Sequence, residues 1–417
     1  MGDEYMIRDF SLIPGASEMS LPLLKLRKNQ DRRVRAGHPW IYSNEVDTAA
    51  TPLKTLEPGC LVEVENAAGK WLGYAHANPH TLICARLLSR DRAHPPDRSL
   101  LVHRIKIALS GRSRLYADPY YRLVFGESDA LPGLVVDRYG DVLVVQIGSA
   151  GMERMREALI AALDKVLKPS AILLRNDSPT RELEGLSRYI EPVKGEVPDR
   201  VVLSEGGARF EVSLFEGQKT GWFYDQAYNR DRMIRFIGDK RVLDVFSYVG
   251  AWGVRAAHAG AKRVTLVDAS ARAIDSALRN AELNGVESRV DALQGDAFEV
   301  LRVLRGQRQR FDVVIVDPPA FIKKRKDHKA GALAYQRIND AALRLLERDG
   351  VLISSSCSHH FPEEQLLDRV QRAARHSDRY VQLLLRGSQA PDHPVHPAVA
   401  ETHYLKALYF RGLTGFW

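Results

Sequence analysis

From Arg241 to its end the chain alternates short apolar runs with longer segments whose apolar residues recur every three or four positions. The runs RVLDVFS, RVTLVDAS, VDALQGD, FDVVIVDPP and GVLISSSCS read as strands, and YVQLLLRG and HYLKALYFRG as two late ones. Between them GVRAAHAG, ARAIDSALRNAELNG, AFEVLRVLRG, ALAYQRINDAALRLLE and EEQLLDRVQRAARH carry helical periodicity. Continuous apolar strands separated by amphipathic helices constrain this part to an α/β fold, a parallel sheet covered on both faces. In such sheets ligands sit beyond the carboxyl ends of the strands, near the point where strand order reverses. Functional residues are therefore expected immediately after each strand.

Upstream the texture differs twice. From Leu21 the runs PLLKL, HPWIYSNEV, GCLVEVEN, KWLGYAHA and TLICARLLS are short and closed by Gly, Asn and Pro, which predicts a small all-β barrel. DRAHPPDRS reads as a linker, because Pro95 and Pro96 continue neither a strand nor a helix interior. Next come the strands YRLVFGES, GLVVDRYG and DVLVVQIGS, the helix MERMREALIAALDKVL and the strand AILLRND, a central α+β unit. The expected division is a mobile tail over 1–20, a barrel over 21–98, the central unit over 99–203 and the α/β domain over 204–417.

Charge narrows the partners. The chain carries 60 Lys+Arg against 52 Asp+Glu, a net charge of +8. That surplus favours polyanions such as nucleic acid. The basic segment KLRKNQDRRVRAGHPW, followed by Tyr42, is either a solvated face or part of such a surface. Three cysteines argue against a disulfide framework and for a reducing compartment. The first residues show no signal-peptide pattern, and no stretch approaches the roughly 18 apolar residues of a membrane span. The expectation is a cytoplasmic, membrane-free protein.

The strand ends carry the chemistry. DVFSYVGAWG places Asp244 before a turn in which Gly250 and Gly253 permit close backbone approach to a ligand at a helix N-terminus. These glycines do not spell the dinucleotide fingerprint. The second strand ends in Asp268, where an acid binds ribose hydroxyls in nucleotide-binding sheets. The third ends GDAF, offering Asp296 to an adenine amino group and Phe298 to stacking. Each acid alone is equally a helix cap, whereas three in register point to an adenosine-bearing cofactor. The fourth strand ends DPPAF, where Pro318 and Pro319 fix the exit and can present Asp317 to a flat ring; a rigid turn is the plain alternative. The fifth ends at Cys357, beside His359 and His360. One Cys with two adjacent His is a poor zinc site, so no metal is expected, and the position suits a nucleophile. Cys60 and Cys84 read instead as thiols buried in the barrel.

Taken together, VLDVFSYVGAWG, VTLVDAS, GDAF, DPPAF and SSSCSH resemble the class I S-adenosylmethionine-dependent methyltransferases, whose catalytic domain is Rossmann-like. More narrowly, the chain resembles the bacterial 23S ribosomal RNA cytosine-5 methyltransferases that carry a PUA domain. GHPWIYSNEV and KWLGYAHANPHTLICAR resemble that RNA-binding barrel. YRLVFGESDALPGLVVDRYGDVLVVQ resembles the family's central domain, and EGQKTGWFYDQAYNR its entry to the catalytic domain. The resemblance spans nearly the whole chain. Its central-domain string and the single Cys of SCS are more specific than Asp-Pro-Pro, which many methyltransferases share.

The resemblance implies S-adenosyl-L-methionine as cofactor and RNA as partner. Asp244, Phe246, Tyr248 and Gly250 would surround the methionine end, Asp268 and Ala269 the ribose, and Asp296 and Phe298 the adenine. Asp225 and Gln226 would close the site. Cys357 would add to C6 of cytosine, with Asp317 on the N3/N4 edge. Pro318, Pro319, Phe321, Lys323, Lys324 and Arg325 would meet the RNA. The family often carries Lys after the second proline, where this chain has Ala320. A homodimer is compatible with the sequence.

Three other readings compete. An exocyclic-amine methyltransferase would use Asp-Pro-Pro-aromatic without a cysteine. A nicotinamide dehydrogenase lacks its fingerprint glycines here. A non-catalytic RNA-binding factor would keep a cofactor pocket and an aligned thiol for nothing.

Overall fold

The computed structural model describes residues 21–415, so the tail expected over 1–20 lies outside the described residues. The chain divides into two compact units, Met1–Pro96 and Asp97–Trp417.

In the first unit five strands, Leu23–Lys25, Cys60–Glu65, Trp71–Ala77, Ile83–Ser89 and Trp40–Tyr42, follow one another across a single sheet. An antiparallel bridge between Leu26 and Val46 joins the segments beyond its two edges, as the barrel reading requires. Leu24, Leu26, Val34, Ile41, Val62, Val64 and Cys84 fill its centre. Each such side chain contributes on the order of 2 kcal/mol by leaving water. Cys84 is the second residue of its strand and fully buried, and burial pushes its thiol up to about 12. Cys60 departs from expectation: it opens its strand and is only half-buried.

The second unit begins with a helix over Arg98–Ser113, absent from the sequence reading and capped by Asp97, whose carboxylate accepts from the amide of Leu100. A five-stranded sheet follows, built from Tyr120–Phe125, Leu134–Tyr139, Val142–Ile147, Ala171–Asn176 and Tyr189–Lys194. The helix expected over 152–167 breaks at Met155 into Ala150–Arg154 and Arg156–Leu167. A hairpin, Arg200–Glu205 with Ala208–Ser213, leads into the largest sheet.

That sheet has seven strands: β1 Arg241–Val245, β2 Arg263–Asp268, β3 Val290–Gln294, β4 Phe311–Val316, β5 Leu346–Ser356, β6 Tyr380–Gly387 and β7 Lys406–Leu413. Their spatial order is 3-2-1-4-5-7-6, with β1 to β5 parallel and β7 antiparallel to both neighbours. Helices α1 Ala251–His258, α2 Ala271–Leu283, α3 Ala297–Gly306, α4 His328–Leu343 and α5 Glu363–His376 cover its faces. Consecutive positions 242–245 and 313–316 are all buried, which is why these strands show no polar alternation, Asp244 being the one polar residue among them. Strand order reverses between β1 and β4. Leu293, Val267, Val245, Val316 and Ser354 form one row across the five parallel strands. The residues just beyond that row gather at one edge.

Candidate active site

The β1–α1 turn is built under conformational load. Phe246, Tyr248 and Gly250 all have positive φ, at 68°, 49° and 83°. For the first two this left-handed geometry costs of order 1 kcal/mol or more each. Two amides, Phe246 N and Ser247 N, donate to the same carbonyl, Val267 O, and hold the loop against β2. At Gly250 a Cβ would meet Val254 at 2.8 Å and Ala277 at 3.0 Å; at Gly253 it would meet Leu266 at 2.2 Å. Glycine is required at both places for space.

Asp244 stands behind this turn, fully buried. Gly253 N donates to its Oδ2 at 2.9 Å, while Oδ1 is buried without a hydrogen-bond partner. Burial pushes its carboxyl up to about 7, opposed by the Gly253 amide and reinforced by Asp317 and Asp268. An orphaned acceptor beside a glycine cradle is complementary to a ligand bearing an amino group or a positive charge.

Asp317 follows β4 and is held from two sides. Gln226 Nε2 lies 3.0 Å from both carboxylate oxygens, and Trp252 Nε1 donates to Oδ2 at 3.0 Å. Gln226 is itself oriented by Asn229, whose amide donates to Gln226 Oε1 at 2.7 Å. Burial pushes the Asp317 carboxyl up to about 6 against those hydrogen bonds. Asp225, next to Gln226 in the chain, accepts a 2.5 Å hydrogen bond from Tyr404 OH. Burial would raise its carboxyl, but Lys219, His393 and Tyr404 outweigh that and hold it below the usual range.

Cys357 is half-buried, one residue past the end of β5. The flanking serines fix it: Ser356 Oγ donates to Tyr335 OH at 2.9 Å, and Ser358 Oγ lies 3.0 Å from the same phenol. Ser358 Oγ also accepts from Ile322 N at 3.3 Å, tying the segment after Asp317-Pro318-Pro319 to the cysteine turn. Burial raises the thiol; Lys219 and Lys406 draw it down, and Asp317 and Asp225 push it up. Nearby, Phe321 packs on Tyr335 with ring centres 4.9 Å apart and on Phe246 at 6.3 Å.

The remaining expected residues fall at the same sheet edge with varied exposure. Asp268 is half-buried, and its two oxygens accept at 2.9 Å from Tyr248 N and Ser270 N. Ala269 is exposed. Asp296 is exposed and caps α3, its Oδ1 accepting from Phe298 N and Glu299 N at 3.0 and 3.2 Å. Phe298 is half-buried, with the Arg337 guanidinium 5.2 Å above its ring. Tyr248 OH faces the 217–221 loop, accepting from Gln218 N and donating to Gly221 O. Pro318 is buried, whereas Pro319, Lys323, Lys324 and Arg325 are exposed. His359 is half-buried, its Nδ1 buried without a partner, and burial lowers its imidazole.

Five residues of this cluster escaped the sequence reading: Lys219, Asn229, Trp252, Tyr404 and Lys406. Lys406 left a visible signal, a lysine flanked by Leu405 and Ala407 inside an apolar strand. Tyr404 left none, because only the fold brings it to Asp225; Asn229 lies three residues past Gln226, with nothing in the sequence to mark its bond to that side chain.

The chain is similar to known proteins over nearly its whole length. Residues 24–90 match the PUA-like domain family. Residues 179–411 match the S-adenosylmethionine-dependent methyltransferase family. The ribosomal RNA large subunit methyltransferase I of Klebsiella pneumoniae strain 342 is 36% identical over 395 residues, covering 94% of this chain and 98% of that protein. Its Vibrio cholerae counterpart is 36% identical over 392 residues, covering 92% of this chain and 98% of that protein. A Streptococcus mutans SAM-dependent methyltransferase has the same fold, with a TM-score of 0.79 at 20% identity over 94% of this chain and all of that one. A methyltransferase solved in complex with SAH gives a TM-score of 0.80 at the same identity and coverage. This chain belongs to the S-adenosylmethionine-dependent methyltransferases, within the family of ribosomal RNA large subunit methyltransferase I, and S-adenosylmethionine is its cofactor.

Proposed function

We propose that this enzyme forms 5-methylcytosine in 23S ribosomal RNA, with Cys357 as nucleophile. The observation that carries the reading is the placement of Cys357, a half-buried thiol just past β5 and in electrostatic contact with Asp317 at the end of β4. The names of the relatives, the PUA-like domain and the net charge of +8 support an RNA substrate. Such a substrate places the enzyme in the cytoplasm.

The residues present fit the cofactor. In this reading the orphaned Asp244 oxygen takes its amino group, and Phe246, Tyr248 and Gly250 shape the wall around its methionine end. Asp268 and Ala269 face the ribose, and Asp296 and Phe298 the adenine. Asp225 and Gln226 close the site. When bound, S-adenosylmethionine supplies an electrophilic methyl group.

Cytosine C5 is too weak a nucleophile to take that group unaided. Only a thiolate adds at C6, and the addition pushes electron density on to C5 and N3. Asp317, its carboxyl raised to about 6, is suited to share a proton with N3 while accepting from the exocyclic amine. Loss of the C5 proton and of the thiolate then restores the aromatic ring. A base inside a duplex is out of reach, so the target is an unpaired or flipped-out nucleotide. Pro318, Pro319 and Phe321 line its approach, and the exposed Lys323, Lys324 and Arg325 meet phosphates.

RNA carrying 5-fluorocytosine tests this directly, because fluorine cannot leave C5 as a proton does. A stable protein–RNA adduct through Cys357 is expected, and its absence would count against the mechanism. The sequence Asp317-Pro318-Pro319-Ala320-Phe321 also favours a second reading, methylation of an exocyclic amine held by Asp317. That chemistry needs no thiol. Nucleoside analysis of the product separates the two, as 5-methylcytidine or an N-methylated base.

A further inference from the structure

Lys406 opens β7 and is buried, 5% exposed. Its Nζ lies 2.6 Å from Ser358 O and 2.8 Å from Tyr404 O. Among the described residues both hydrogen-bond partners of this amine are backbone carbonyls, and no carboxylate pairs with it. With two N–H bonds given to those carbonyls, the neutral amine keeps a lone pair as acceptor, and the ammonium keeps one further donor. A charged amine this deep is costly without a counter-charge.

The fold sets Lys406 beside the cysteine turn. In the antiparallel register of β5 and β7, Lys406 lies directly opposite Ser356, the residue before the cysteine. The carbonyl it grips belongs to Ser358, the residue after it. Lys406 thus brackets the cysteine turn from the neighbouring strand, and each of the two side chains is within electrostatic reach of the other.

We propose that Cys357 and Lys406 share one proton, which sits on Lys406 Nζ while the sulfur is bonded to the substrate base. The inference rests on Cys357 being the nucleophile. As Sγ bonds to C6, the S–H bond breaks and the proton passes to Nζ. The ring then takes the methyl group at C5 and gives its C5 proton to water. The C5–H electron pair closes the C5–C6 double bond, the Sγ–C6 pair leaves on sulfur, and Nζ returns its proton to the thiolate. Lys406 acts through Cys357 and is a positioning residue in this scheme.

The surrounding charges are consistent with such a pair. Burial pulls the Lys406 amine down to about 8 and pushes the thiol up, so the thiol keeps its proton at rest and Nζ takes it only as sulfur bonds to the base. The other groups facing Cys357 are Lys219 from the 217–221 loop, Asp225, Asp317 after β4, Tyr335 on α4 and Tyr404. Burial raises both phenols, and a Cys357 thiolate pushes each further up, so Tyr335 and Tyr404 are poor acceptors for the thiol proton. His359 is within electrostatic reach of Lys406, and Glu401 and His360 are within reach of His359.

The test is the pH dependence of Cys357 alkylation by iodoacetamide, read by mass spectrometry of the Cys357 peptide so that Cys60 and Cys84 do not contribute. The full chain is compared with Lys406→Met and Lys406→Arg. The pair predicts that Lys406→Met moves the midpoint up by about one unit or more, roughly a tenfold slower alkylation near neutral pH. Lys406→Arg, which keeps a charge in place, should restore the native midpoint. A native midpoint in Lys406→Met would overturn the proposal. Should that variant not fold, Lys406→Arg decides through methyl transfer: Arg keeps the charge but cannot take the thiol proton, so a rate lowered roughly tenfold or more at a native midpoint supports the pair, and a native rate overturns it. The alkylation readout needs no RNA, so it stands apart from the cytosine-5 reading, which fails instead if Cys357→Ala methylates normally.

Discussion

Gln226 places its amide nitrogen 3.0 Å from both carboxylate oxygens of Asp317, across 91 residues of sequence. With Trp252 on one of those oxygens, the Asp317 side chain is locked before any substrate arrives. A hydrogen bond to an ionised group is worth about 1.5–3 kcal/mol. Gln226→Leu should therefore lower methyl transfer roughly 10- to 100-fold while the protein stays folded. Steady-state rates with unmodified rRNA, alongside a thermal melt, check this.

Asp244 sets a pH dependence of stability. Its carboxyl rises from 3.8 to about 7 on folding, and that of Asp317 to about 6. Between about pH 4 and the raised values the folded chain keeps protons that the unfolded chain has released, so stability falls as pH rises. For Asp244 the loss is at most about 4 kcal/mol. Asp244→Asn should therefore melt higher than the native protein at about pH 8, with little difference at about pH 4, and should lose cofactor affinity. Thermal unfolding at the two pH values, with calorimetric titration of S-adenosylmethionine, reads both.

Gly250 is the point where the β1–α1 turn meets α2. Gly250→Ala places a Cβ against Val254 and Ala277 at a φ of 83°. The expected cost is about 2 kcal/mol of stability, with weaker cofactor binding. Chemical denaturation and the same titration measure it.

The exposed Lys323, Lys324 and Arg325 predict a salt effect. Each phosphate contact to a single strand contributes about −0.7 to the slope of log affinity against log salt. Replacing all three by Ala should flatten that slope by about 2, with catalysis at saturating RNA little changed. An unchanged slope would remove this loop from the RNA-binding surface.

The α/β domain was legible because its signals are local. Val313 to Val316 are apolar at every position, which both-face burial alone explains, and Asp244, Asp268, Asp317 and Cys357 fell at or just after strand ends as topology requires. Other features were not local. The helix Arg98–Ser113 buries only Leu101, Ile105, Ala108 and Arg112, a stripe too thin to read through RSLLVHRIKIALSGRS. Cys60 looked like its barrel neighbour Cys84, and only strand pairing reveals that it starts its strand. Asn229 reaches Asp317 through Gln226, and Tyr404 reaches Asp225 across 179 residues. Such pairings are set by tertiary packing and leave no periodicity to detect.

The proposed chemistry depends on Cys357 acting as the nucleophile of a cytosine-5 methylation. The most direct measurement is transfer of labelled methyl groups from S-adenosylmethionine to 23S rRNA lacking its natural modifications, native enzyme against Cys357→Ala, with the product digested to nucleosides. Labelled 5-methylcytidine is expected from the native enzyme and none from the variant, which should still bind cofactor. Full activity in Cys357→Ala, or label in an N-methylated base, would contradict it.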